Sequence, residues 1–135
     1  MIKSFTWISL VTAALLCAQD RMRPGLWEST VTSGGKSSTR SHCITQAELA
    51  TTNGKLQAIR ETMVKAFANI ANGTCTLKDL KIDGNSMTSL MVCGDSSFAH
   101  TTTFHGDTAE TTSTSTKAGV TTLTHITSRR LGVCP

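Results

Sequence analysis

The sequence predicts an α+β protein that is mostly β: a curved antiparallel β-meander sheet packed around one amphipathic helix and held by two disulfides. Three observations predict it. Thr-rich, β-prone runs recur about every ten residues, separated by short turns containing Gly, Asn or Asp. One long stretch, Lys55 to Ala71, carries apolar residues at helical spacing. Four cysteines, Cys43, Cys75, Cys93 and Cys134, remain once an export leader is removed, an even set that fits an oxidising compartment.

The leader is the opening MIKSFTWISLVTAALLCAQD of a chain of 135 residues. Lys3 supplies the positive start, Phe5 to Leu16 the apolar run, and a cut after Ala18 fits a secretory signal peptide. Residues 1–18 are then the signal peptide and 19–135 a single disulfide-stapled β-rich domain, large enough for one core. The apolar run is too short to span a membrane, so the expected location is periplasmic or secreted, with no stable membrane span after cleavage. Lipid attachment at Cys17 is disfavoured because the bulky Leu16 precedes it.

Taken in order, Arg21 to Pro24 is a polar lead-in. Gly25 to Thr32 reads as a first strand, with Trp27, Ser29 and Val31 on one face and Leu26 and Glu28 on the other. Trp27 is expected as a core anchor, a ligand-stacking surface being the alternative. Ser33-Gly34-Gly35-Lys36 turns the chain, and Ser38 to Ile44 is a second, polar strand that forms a hairpin with the first. Thr45-Gln46-Ala47-Glu48 has the form of a capping box, in which a Thr hydroxyl and a Glu carboxylate satisfy each other's backbone N–H groups, so a short helix follows to about Thr51. In the main helix Leu56, Ile59, Met63, Phe67 and Ile70 recur at intervals of three and four, with Val64 and Ala66 widening the stripe. Asn72-Gly73 supplies its stop, and Asn72-Gly73-Thr74 also has the form of a glycosylation sequon.

The stretch Cys75 to Cys93 organises the second half. Asp83-Gly84-Asn85 is a hairpin turn, and folding about Gly84 opposes positions whose numbers sum to 168, as those of Cys75 and Cys93 do. Directly opposed residues lie close enough for a disulfide. Pairing Cys75 with Cys93 leaves Cys43 with Cys134. A zinc site is disfavoured because the chain has no closely spaced cysteine pair. In the second arm Met87, Ser89, Met91 and Cys93 share a face. Phe98 to His105 is the next strand, with Phe98, His100, Thr102 and Phe104 on one side. Thr108 to Thr116 is almost wholly polar and suits a sheet edge or a solvent-facing wall. Val120 to Ser128 is the last strand, and Arg129 to Pro135 a basic tail closed by Cys134.

Several pieces together resemble a bacterial exported family known as domain of unknown function 3617. They are the leader, Arg23-Pro24-Gly25-Leu26-Trp27-Glu28, Cys43-Ile44-Thr45 before a helix, Cys75 and Cys93 around a Gly-Asn turn, and the terminal Ser128-Arg129-Arg130-Leu131-Gly132-Val133-Cys134-Pro135. The resemblance covers the mature chain and implies an envelope location and a β-rich domain. It implies no catalytic residues. Family members often carry a Met-, Gly- and Pro-rich insert between the first two strands; here that region is only Ser33 to Ser38.

The chemistry points away from several classes. Thirteen Lys and Arg against nine Asp and Glu give a formal charge of +4, but the basic residues are scattered and few aromatics accompany them. Nucleic acid is therefore not the expected partner. No G-x-S-x-G, H-E-x-x-H or Gly-rich phosphate loop is present. His100 and His105 have opposite parity on one strand and cannot share a metal without a bulge. His100 with His125 on a neighbouring strand is the pair a hydrolase or metal enzyme would need. The expectation is a non-catalytic envelope protein without cofactor or metal, acting as an interaction module for a protein partner. The alternative is a carrier of a small apolar ligand or lipid, its cavity lined by Met63, Phe67, Met87, Met91, Phe98 and Phe104.

Overall fold

A computed structural model describes residues 20–70 and 74–135. The expected leader, Cys17 and the helix stop at Asn72-Gly73 with its sequon lie outside them. β1 (Gly25–Ser33) and β2 (Lys36–Ile44) form the first hairpin, through the two-residue turn Gly34-Gly35. Two helices follow, α1 (Gln46–Thr52) and α2 (Leu56–Ile70). Then come β3 (Cys75–Asp83), β4 (Ser86–Cys93), β5 (Ser96–Phe104), β6 (Thr108–Lys117) and β7 (Val120–Gly132).

All seven strands belong to one antiparallel, open sheet in the order β2-β1-β7-β6-β5-β4-β3. The helical excursion carries the chain from one edge to the other, and the meander returns until β7 docks on β1. Cys75 opposes Cys93 across β3 and β4, and the two are bonded. The second disulfide joins Cys43 on β2 to Cys134 beyond β7, with Cα atoms 5.5 Å apart.

α1 starts where the capping box places it. The Thr45 hydroxyl accepts from the Glu48 N–H at 3.3 Å, and the Thr45 N–H donates to the Glu48 carboxylate at 2.6 Å. That backbone bond, with the Thr45 hydroxyl, holds the Glu48 carboxyl below its ordinary range. α2 packs on β3, and its Phe67 ring meets Phe98 of β5 at 6.5 Å, which fixes the face of the sheet it covers. Ile59 is buried, while Leu56 and Val64 of the same stripe are exposed, because the helix reaches the sheet along one narrow seam.

Cross-strand partners share a face, so the register assigns every side chain. The helix-side face carries Trp27, Met91, Phe104, Leu80 and Ala109, all buried. Trp27 has no exposed surface, and its indole N–H donates to the Arg23 carbonyl at 2.9 Å, so it is the core anchor.

Two expectations are corrected. β6 lies between β5 and β7, so Thr-rich composition does not make it an edge. Its exposed side chains, such as Glu110 and Thr112, are the wet half of an internal strand. The basic tail is not a tail: β7 continues through Arg129 and Arg130 because β1 offers them partners. Arg129 pairs with Glu28, and the Arg130 guanidinium donates to the Pro24 carbonyl at 2.8 Å.

Candidate functional site

The six apolar residues expected to line a cavity are partly brought together. Met87, Met91, Phe98 and Phe104 lie on the helix-side face of adjacent strands. Met91 and Phe104 are close-packed core, exposed by 1 and 4 %. Met63, Phe67, Met87 and Phe98 are half-buried, around the seam where α2 meets the sheet.

Away from that seam the helix-side face becomes polar. One row runs from Ser33 through Thr124, Ser113 and His100 to Ser89, and ends at Leu80. Ser29 bonds Ser128 at 2.8 Å, and Thr102 bonds Thr111 at 2.9 Å. These hydroxyls satisfy one another across the ladder, which is a structural use of Ser and Thr. His100 sits in this row, half-buried, and desolvation lowers its pKa below the ordinary histidine value. His125 opposes Thr112, which opposes Thr101 on the other face. His100 and His125 therefore point to opposite sides of the sheet. Among the described residues no three His, Cys, Asp or Glu side chains group so as to hold a metal.

The two end motifs of the chain converge. Gly25 approaches β7 so closely that a Cβ there would lie 2.6 Å from the Arg130 Nε, and its φ of 147° is one that side chains rarely adopt. The Asp107 carbonyl accepts from the Arg130 N–H at 2.8 Å, and the Asp107 carboxylate pairs with Arg23. Sequence reasoning did not find these pairs: opposite charges in the two end motifs signal only the Glu28–Arg129 pair, whereas Asp107 lies in the turn between β5 and β6, and no local pattern joins it to either motif. On the outer face nearby, a shallow cleft of about 290 Å³ is lined by Glu28, Thr30, Thr108, Glu110, Thr127 and Arg129. A second, about 510 Å³, lies at the strand ends among Asp20, Arg23, Asn85, His105 and Gly106. The second is the more polar of the two. The six apolar candidates line neither.

The third feature is the edge. β2 is the last strand on its side, and eight of its nine residues are exposed. Its register with β1 is unbroken from Gly25↔Ile44 to Ser33↔Lys36. Lys36, Ser38, Arg40 and His42 share its helix-side face, and β2 has no acidic residue.

This is a small antiparallel-meander protein with a disulfide at each side of its sheet, two clefts and an exposed edge strand. The chain belongs to the DUF3617 family, described as Protein of unknown function, whose model matches residues 22–134. The comparisons with curated proteins and with solved structures each find no match. Among the described residues no helix is long and apolar enough to cross a membrane.

Proposed function

We propose that this is an exported, non-catalytic interaction module, a disulfide-framed sheet that works by presenting a surface to a protein partner. The observation that carries the reading is the finish of the sheet: an unbroken, exposed strand stands at one edge, and a disulfide ties that strand to the end of the chain. An exposed strand edge offers a row of N–H and C=O groups to another chain. Two disulfides suit an oxidising compartment, in keeping with the leader-like start of the sequence. The Ser and Thr hydroxyls that bond one another across the strands support a scaffold rather than a nucleophile.

A second reading, a carrier of a small apolar ligand or lipid, is favoured by one observation. Met63, Phe67, Met87 and Phe98 stay half-buried where α2 meets the sheet, and lifting α2 would open an apolar slot between them.

Native mass spectrometry on the full chain recovered from an exporting bacterial host, with chemical cross-linking, separates the two. The interaction reading expects a cross-linked protein partner and a ligand-free mass. The carrier reading expects an adduct of fatty-acid or lipid mass that disappears on denaturation. A monomer with neither, together with hydrolytic turnover abolished by His100→Gln, would overturn both.

A further inference from the structure

We infer that the open edge of β2 receives an extended, acidic segment of a partner protein as an added antiparallel strand. This rests on the interaction reading and names its surface and the partner's chemistry.

The backbone geometry comes first. The two-residue turn makes Ser33 and Lys36 a hydrogen-bonded pair, and such pairs alternate along an antiparallel ladder. Lys36, Ser38, Arg40 and His42 therefore turn their N–H and C=O groups toward β1, while Ser37, Thr39, Ser41 and Cys43 turn theirs outward. The outward groups form a straight row, since β2 has neither bulge nor proline. The Cys43–Cys134 bond and the β1 ladder hold that row in place before any partner arrives. A preorganised edge loses little conformational entropy on binding.

The side chains select the partner. Lys36 and Arg40 are exposed on one face and take part in none of the ion pairs among the described residues, Arg23–Asp107, Lys81–Asp79 and Arg129–Glu28. His42 already feels Glu48 of α1. On β1 the neighbouring side chains of that face are Trp27, Ser29, Val31 and Ser33, and Glu28 is on the other face, paired to Arg129. The edge thus presents two uncompensated cations four residues apart, roughly 13–14 Å along a strand. Two carboxylates four residues apart on an added strand would stand opposite them. In two registers a second copy is disfavoured by the same charges, whereas about Thr39 Lys36 meets His42 and Arg40 meets Ser38. Two-fold pairing of β2 with itself about Arg40 opposes Arg40 to Arg40, and about Ser38 it opposes Lys36 to Arg40. Like charges directly opposed are destabilising.

The test uses the oxidised chain and labelled nonapeptides of a Thr/Val background with Glu at the third and seventh positions, or Lys at both. Binding is read by fluorescence anisotropy and amide hydrogen exchange. The Glu peptide is expected to bind at least about tenfold tighter than the Lys peptide at low salt, and to slow exchange at Ser37, Thr39 and Ser41. Arg40→Glu leaves one cation and one anion on the edge, so it should abolish the preference, and the Lys36→Glu/Arg40→Glu double variant should invert it. Thr39→Pro removes one outward N–H and no ladder bond to β1, so it should weaken the Glu peptide by about tenfold while the fold is retained. Equal binding of the two peptides, indifference to Thr39→Pro, protection on β3 instead, or self-association through β2 would each overturn the inference. If Thr39→Pro and Arg40→Glu both leave a cross-linked partner bound, strand addition fails and the interaction reading survives. If no protein partner is captured at all, the reading itself fails.

Discussion

The two edges of this sheet are finished in opposite ways. β3 is shielded: α2 packs on it, its register slips between Leu77 and Asp79, Lys78 and Lys81 stand on it, and a disulfide ties it to β4 next door. Helix cover, bulges and lysines are ways in which proteins block edge-to-edge pairing. β2 also carries two cations, Lys36 and Arg40, but among the described residues it has neither helix cover nor bulge, and its disulfide reaches past β1 to Cys134. The difference teaches that one edge is closed off by packing while the other is held rigid and left open. An edge kept only for stability would gain from the devices that β3 has.

The largest expected effect separates the two disulfides. Cys43–Cys134 spans 91 residues and Cys75–Cys93 spans 18. In the chain-entropy model the first contributes about 4–5 kcal/mol and the second about 3 kcal/mol. Urea unfolding of the Cys43→Ser/Cys134→Ser and Cys75→Ser/Cys93→Ser double variants should show the greater loss for the first. The reverse order would mean that the closed edge depends on its staple more than the open one.

Next is the cover on β3. Ile59→Ala removes a buried contact of α2 and should lower stability by about 2–4 kcal/mol. It should also raise aggregation as β3 loses its helix. If aggregation instead follows substitutions on β2, the assignment of closed and open edges is inverted.

Thr45→Ala, at the joint between β2 and α1, removes the cap and should cost about 1 kcal/mol in thermal unfolding. No change would mean that α1 is fixed by Leu49 and the Asn53–Met22 bonds rather than by its cap.

The smallest effect is a pH dependence of the covered face. His100 has a folded pKa below the ordinary 6.5 because burial disfavours its charged form. The unfolded chain takes up the proton first, so stability is full above about pH 6.5 and falls as pH drops toward the folded value. His100→Gln should flatten that part of the curve. A curve unchanged by His100→Gln would mean that the row leading to Leu80 is wetter than its burial implies.

Much of this architecture was legible because it depends on local pattern. Thr45 with Glu48 gives the start of α1, as observed. Cys75 opposes Cys93 as expected, but the ladder next to the turn pairs Asp83 with Ser86, one residue off the expected register, and the slip between Leu77 and Asp79 restores it at the cysteines. Alternation correctly put Met87, Ser89, Met91 and Cys93 on one face. Less of the candidate site was legible. Arg129 and Arg130 read as a tail, because no local rule says that a strand ends 101 residues away from the glutamate it will pair with. Thr108 to Thr116 read as an edge or a solvent-facing wall, and only the second holds, since composition reports wetness and not position in the sheet.

The sequence by itself determined the element order, the Cys75–Cys93 disulfide, the capped helix and the apolar seam, because each follows from periods, turns and spacing within a few tens of residues; the Cys43–Cys134 bond, 91 residues apart, followed only as the remaining pair. Only the tertiary structure decided which strands are neighbours. Docking β7 on β1 made β6 internal, gave Glu28 and Pro24 to the two arginines, separated His100 from His125, and left β2 as the open edge. The physical reason is that sheet order is set by which non-local ladder can be completed once the helices have carried the chain across, and a strand's own residues do not encode its neighbour.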